Sequence, residues 1–126
     1  MKIFLAAVNP EYARKLGKKF NGLLTFAYLD PKRQLDMSMY KDFILDSGAF
    51  TYAFSTGDSS HIDWDQYCLK YANFVKANKV KNYMELDIDK LVGYEKVKEF
   101  RRTCEQVVGW PPIPVWHVNR GLKDWT

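Results

Sequence analysis

Residues 43–51 read Phe-Ile-Leu-Asp-Ser-Gly-Ala-Phe-Thr, and this stretch decides the predicted fold class. Three consecutive apolar residues are typical of a strand buried on both faces, and such strands belong to parallel sheets. Asp46, Ser47 and Gly48 follow at once and predict a polar tight turn at the carboxyl end of that strand. Because ligands of parallel α/β folds bind beyond the carboxyl ends of the strands, this turn is a candidate site.

Apolar segments on both sides of this strand extend the same pattern. Helices are predicted between them, one carrying Ala13, Leu16 and Phe20, the others over residues 64–78 and 94–108. Asp63 is predicted to cap the start of the second of these helices, and Gly109 to end the third. Two consecutive strands that pair in parallel must be joined by a crossover connection of a dozen or more residues, and helices of this length supply it. We therefore predict an α/β fold, with one domain over residues 1–126 and an incomplete TIM-barrel-like parallel sheet of about five strands. Besides the strand at residue 43, the predicted strands cover residues 3–8, 23–29, 82–88 and 113–118.

Composition limits the classes of protein that remain. The chain has 126 residues, 47% apolar and 27% charged, which suits one folded domain and excludes the disordered class. Its net charge of +4 is compatible with a nucleic-acid partner and, more simply, with a basic face that contacts only solvent. Cys68 and Cys104 lack zinc-site spacing and are predicted to be small core residues. No apolar run reaches the roughly 18 residues of a membrane span, so we expect a cytoplasmic protein without a membrane partner.

Polar residues stand at each predicted strand end. Asn9 and Asp30 each precede a proline and are best explained as turn formers. Asp46 could instead accept hydrogen bonds from the N–H edge of a purine, or take up a proton, although an Asx turn explains it equally well. Gly48 would let the backbone approach a flat ligand, and Phe50 could supply a stacking face.

Three acids alternate along the predicted fourth strand, and a histidine ends the fifth. Glu85, Asp87 and Asp89 would lie on one side of a regular strand, where they could bind Mg²⁺ or Mn²⁺, or one of them could recognise a base. Alternatively, only Asp87 faces a site, while Glu85 pairs in the interior and Asp89 caps the next turn. His117 is more often a structural histidine, but a position at the rim of a barrel favours a role in the site.

The segment from Asp46 to Thr51 resembles the tRNA-guanine transglycosylase superfamily, whose corresponding strand ends in Asp-Ser-Gly-Gly-Phe-Gln. Residues 84–87, Met-Glu-Leu-Asp, are similar to the family strand end whose Asp reads the purine. Residues 115–117, Val-Trp-His, are similar to the strand end where the family has a base-contacting Gln. The chain is most similar to the short, zinc-free relatives found among phage and DNA-modification proteins.

The resemblance implies a TIM-barrel framework and exchange of guanine for a 7-deazaguanine base in tRNA or DNA. It implies that Asp46 is a general acid or base, while the nucleophilic Asp of the family lies on a later strand without a counterpart here. We therefore expect either the N-terminal half of a longer enzyme or a half-barrel that completes itself as a homo-oligomer. Residue chemistry and resemblance together give these candidate base-binding residues: Asp46, Ser47, Gly48, Phe50, Asp87 and His117.

Two other functions fit the same residues. The chain could be a non-catalytic module that binds a base or nucleic acid and performs no exchange. It could also be a metal-dependent barrel hydrolase that uses Glu85, Asp87 and Asp89, with Mg²⁺ or Mn²⁺ as its cofactor. The transglycosylase-like function itself implies no metal.

Overall fold

Three short strands that run in the same direction form the sheet in the computed structural model of the chain. They are β1 (Phe4–Ala6), β2 (Asn21–Thr25) and β3 (Phe43–Asp46), in the order β1-β2-β3. Both pairings are parallel, and β2 places Thr25 beside Asp46 at the carboxyl end of β3. The structure describes residues 3–6, 11, 14–15, 19, 21–26, 37–38, 40–55 and 57–117.

The predicted sheet of about five strands and its TIM-barrel-like arrangement are wrong. Within the described ranges the sheet has three strands and does not close into a barrel. Where further strands were expected, the chain makes only two isolated parallel bridges, from Leu45 to Tyr83 and from Met84 to Ile113. One residue beyond the first bridge, β3 ends at Asp46 and the chain turns into a helix. The second bridge is not continued at Val115, because the N–H of Val115 donates to the side-chain Oε1 of Glu85 at 2.9 Å and not to a backbone carbonyl.

Four α-helices lie wholly within the described residues. The first, over residues 49–55, was not predicted, because only the turn after Asp46 was expected there. The predicted helix that carries Ala13, Leu16 and Phe20 lies largely outside the described residues, as do Asn9 and Asp30. The helices are α1 (Ala49–Ser55), α2 (Trp64–Ala77), α3 (Asp89–Val92) and α4 (Tyr94–Val108), with a 3₁₀ turn at Ser59–His61.

The ends of the two long helices follow local sequence signals. Asp63 caps α2, because its carboxylate accepts a hydrogen bond from the Gln66 N–H at 3.0 Å, as predicted. Gly109 ends α4 in the left-handed conformation with φ of 101°, which a residue without a side chain adopts at little cost. Neither signal depends on distant parts of the chain, which is why both could be predicted.

The core lies between the sheet and the helices α2 and α4, which pack on each other. Cys68 of α2 and Cys104 of α4 are both buried free thiols, which confirms their prediction as core residues, and their sulfur atoms lie 3.7 Å apart. No helix within the described residues is long and apolar enough to cross a membrane. The fully buried core side chains include Leu45, Tyr71, Val75, Tyr83, Leu86, Ile88 and Val97.

Candidate functional site

Asp46 is the last residue of β3, and its carboxyl group is partly buried. Burial raises the pKa of Asp46 above its usual value, because a charged carboxylate loses hydration there. The nearby backbone N–H groups of Gly48 and Ser47 favour the charged form and oppose that rise. Burial is the larger influence, so Asp46 takes up a proton more readily than an exposed aspartate does.

A side-chain hydrogen bond and a glycine shape the turn after Asp46. Ser47 is fully buried, and its Oγ accepts a hydrogen bond from the Ala49 N–H at 3.4 Å, where α1 begins. Gly48 has φ of 66°, a left-handed backbone conformation that favours glycine. Ser47 and Gly48 therefore shape the turn around the carboxylate.

Asp87 lies close enough to Asp46 for the two charges to interact. Burial, followed by the negative charge of Asp46, raises the pKa of Asp87 to about 6. His117 acts in the opposite direction and lowers it, and Glu85 adds a small further rise. The structure thus brings the predicted residues Asp46, Asp87 and His117 into one electrostatically coupled group.

His117 faces two carboxylates from the segment that leads into α3. Its Nε2 atom lies 3.6 Å from Oδ1 of Asp89 and 4.0 Å from Oδ2 of Asp87. Both distances are too long for a direct hydrogen bond but within the range of an ion pair. The Nε2 atom is shielded from solvent and has no hydrogen-bond partner among the described residues.

Glu85 has a separate environment, although it stands only two residues before Asp87. Its side chain is fully buried, and its Oε2 accepts a hydrogen bond from Nε of Arg101 on α4 at 2.7 Å. Its Oε1 accepts one from the N–H of Val115 at 2.9 Å. Glu85 thus joins residues 83–85 to α4 and to the segment that carries His117.

The three acids proposed for a metal site therefore have different partners. Both oxygens of Glu85 are engaged by protein groups, while Asp87 and Asp89 face His117. Over the described ranges, no group of three or more His, Cys, Asp and Glu side chains is arranged to hold a metal ion. The Mg²⁺ or Mn²⁺ alternative stays a prediction, which calorimetry with either ion would test.

Phe50 lies on α1 just beyond the turn and is 46% exposed. Its ring contacts that of Phe54 at a centroid distance of 4.5 Å, one helical turn further on. The predicted role of Phe50 as a stacking face for a base needs such an exposed ring. No contact between Phe50 and the carboxylates of Asp46 or Asp87 supports that role directly.

Sequence reasoning missed two tyrosines that tie α2 to the site. Tyr67 donates a hydrogen bond to the Ser47 carbonyl at 2.6 Å. Tyr71 donates to the carbonyls of Leu45 and Met84 at 3.1 and 2.8 Å. Both were assigned only to an apolar helix face. A buried tyrosine hydroxyl needs a partner, and that requirement was the signal available in the sequence.

Comparison of the chain with protein-family models, with curated proteins and with solved structures finds no match. Arguments about the function therefore rest on the site itself. Two neighbouring carboxylates with raised pKa values can take up a proton near neutral pH or accept hydrogen bonds from N–H donors.

Proposed function

We propose that the chain binds guanine or a 7-deazaguanine base through the carboxylates of Asp46 and Asp87. The observation that carries the proposal is that Asp87 lies near enough to Asp46, the last residue of β3, to feel its charge, and that burial is the main cause of the raised pKa of each. Strongly perturbed carboxylates in a cleft are more typical of functional sites than of ordinary surface positions. The resemblance of residues 46–51 to the transglycosylase motif supports the choice of base.

The chemistry of guanine matches this pair. Its N1–H and its 2-amino group are adjacent hydrogen-bond donors on one edge, and ionised carboxylates act only as acceptors. Hydrogen bonds to a charged acceptor are shorter and stronger than those between neutral groups. In a partly buried site the donors of the base would replace lost water, so binding would favour ionised Asp46 and Asp87. His117 could donate to an acceptor on the opposite edge of the ring.

The exchange reaction is a further part of the same proposal. By resemblance, Asp46 would act as general acid or base beside the bound purine, in a tRNA or DNA substrate and in the cytoplasm. Its raised pKa suits proton transfer better than that of an exposed aspartate does. A nucleophile for the sugar is not assigned, so the binding step is the part that these residues support.

Calorimetric titration with guanine and a 7-deazaguanine tests the proposal. We expect saturable binding at pH 7.5, weakened at least about tenfold by Asp46→Asn or Asp87→Asn, because each variant loses a charged acceptor. Glu95→Gln is the matched control, since Glu95 carries an exposed carboxylate on α4 and pairs with Lys98. Equal affinity in all four proteins would contradict the proposal.

Adenine and pH provide two independent comparisons. Adenine has an acceptor at N1, so it should bind more weakly than guanine if carboxylates read that edge. Guanine affinity should fall as the pH drops below about 6, where Asp87 becomes protonated. Equal affinity for adenine and guanine would show that these carboxylates do not read the base.

A further inference from the structure

Cys68 and Cys104 are the two cysteines of the chain, and the packing of α2 on α4 brings their sulfur atoms to 3.7 Å. They are separated by 36 positions in the chain, and both side chains are buried. To reach the bond length of a disulfide, the gap between the sulfur atoms would have to shorten by about 1.7 Å. Rotation of a cysteine side chain about its Cα–Cβ bond moves the sulfur atom by a comparable amount.

The hydrogen bonds of the pair determine how the two thiols face each other. The Cys68 thiol donates to the Phe100 carbonyl at 3.7 Å. Because a thiol has one proton, the contact between the two sulfur atoms uses the proton of Cys104. This hydrogen bond lowers the pKa of Cys68 and raises that of Cys104. Cys68 is therefore the member of the pair that ionises first.

A bond between these cysteines would join the two helices on which the candidate site depends. On α2, Tyr67 donates a hydrogen bond to the turn after β3. On α4, Arg101 pairs with the buried Glu85. The loop that the bond would close runs from residue 68 to residue 104 and so contains the segment that carries Glu85 and Asp87.

We propose that Cys68 and Cys104 are a redox pair, in which a small peroxide converts the two thiols into a disulfide between α2 and α4. The thiolate is the reactive form of a cysteine, and the pair has one thiol that ionises ahead of the other. Both side chains are buried, so the oxidant has to be small, and hydrogen peroxide meets that requirement. The proposal does not rest on guanine binding.

The reaction has two steps, and both release water. The Cys68 thiolate attacks one oxygen of hydrogen peroxide, the O–O bond breaks, and the other oxygen takes up a proton and leaves as water. Cys68 is then a sulfenic acid. The Cys104 sulfur attacks the sulfur of this sulfenic acid, the S–O bond breaks, and a second water carries away the hydroxyl group and the Cys104 proton. Two thiols have lost two electrons and two protons, and one peroxide has become two waters.

The first test is the state of the thiols after the folded wild type is treated with hydrogen peroxide. Catalase then removes the peroxide, and the protein is unfolded and alkylated. Non-reducing mass spectrometry should show a monomer without alkyl groups, and prior treatment with dithiothreitol should restore two alkylated thiols. Two thiols that stay free, disulfides only between chains, or oxidation that dithiothreitol does not reverse would overturn the proposal.

The second test is the melting temperature of the peroxide-treated protein before and after dithiothreitol. We expect the disulfide form to melt about 5 to 10 °C higher, because the bond restricts the unfolded chain. Dithiothreitol leaves methionine sulfoxide unchanged, so the comparison isolates the disulfide. A disulfide form that melts at or below the temperature of the reduced form would overturn the proposal, since the fold would then oppose the bond.

Cys104→Ala is the matched control for both tests. This variant keeps Cys68 and the same methionines but cannot form the bond within one chain, so dithiothreitol should not change the melting temperature of its monomer. An equal change in Cys104→Ala would overturn the proposal. The comparison before and after dithiothreitol uses the wild type alone, and so decides the question even if the variant does not fold. Neither test uses a ligand, so failure of guanine binding and failure of the redox pair are distinguishable.

Discussion

Glu85 and Asp87 stand two residues apart on one segment, but their carboxylates have different partners. Glu85 is fully buried but has hydrogen bonds from Arg101 and from the Val115 N–H. Asp87 is only partly buried, yet burial and the charge of Asp46 raise its pKa to about 6. One carboxylate is stabilised in its charged form, while the other is not.

This difference separates a structural acid from a candidate binding acid. The buried Glu85 pair connects three segments, so its charge is part of what holds the site together. The charge of Asp87 opposes folding at neutral pH, and a ligand that supplies N–H donors would relieve that cost. Burial alone therefore does not identify the functional acid; the partners of each oxygen do.

Removal of Glu85 should have the largest effect. Glu85→Ala leaves the partly exposed Arg101 without its counter-ion and frees the Val115 N–H, so we expect a loss of about 3 kcal/mol in the free energy of unfolding from two hydrogen bonds to a buried carboxylate. Urea unfolding followed by circular dichroism measures this. Glu99→Ala is the control, because Glu99 pairs with Lys96 on the surface and should cost less than about 1 kcal/mol. A similar loss in both variants would contradict the account.

Asp87→Asn should change stability in the opposite direction. The folded-state pKa of about 6 lies above the usual 3.8, so the stability that this group contributes is fully present below pH 3.8 and is lost as the pH rises through 6. Asparagine does not ionise, so the variant keeps its stability as the pH rises. We expect it to be more stable than the wild type by about 2 kcal/mol at pH 8. The difference should shrink toward pH 4.5. Urea unfolding at both pH values checks this, and destabilisation at pH 8 would contradict it.

Tyr71→Phe tests the connection between the segments that carry Asp46 and Asp87. Its hydroxyl bonds the carbonyls of Leu45 and Met84, where the sheet otherwise depends on single bridges. We expect a loss of about 1 to 2 kcal/mol in thermal or urea unfolding, since the one buried hydroxyl proton that the two carbonyls share is lost. A variant as stable as the wild type would show that the bridges alone hold the segments together.

Phe50→Ala should have the smallest effect on stability. The Phe50 ring is 46% exposed and contacts Phe54, so we expect a change within about 0.5 kcal/mol in the free energy of unfolding. If the ring stacks on a bound base, guanine affinity should fall by about fivefold or more in calorimetry. Unchanged affinity would remove Phe50 from the predicted site.

The sequence was informative where signals are local. The apolar run of β3 ending at Asp46, the Asp63 cap and the Gly109 terminus depend on neighbouring residues only. The prediction of fourth and fifth strands was wrong, because strand formation depends on how long each neighbour can pair. The Val115 N–H bonds to the side chain of Glu85, 30 residues away in the chain, and no local pattern indicates that contact.

The site was predictable in its members but not in its organisation. Asp46, Asp87 and His117 follow from strand-end positions, which the parallel bridges after β3 bring close together. The partner of Glu85 is Arg101 on α4, and no spacing rule connects these two residues. The contact of Tyr67 could not be predicted from the apolar pattern of its helix, because its hydroxyl donates to a carbonyl 20 residues away in the chain.

The central claim is that Asp87 is a carboxylate that the fold leaves poised to accept a ligand. Its most direct test is an NMR titration of the Asp87 carboxyl carbon, without and then with saturating guanine. We predict a midpoint at about pH 6 in the free protein, moved downward by guanine because N–H donors favour the charged form. A midpoint near 4 that guanine does not move would contradict the account.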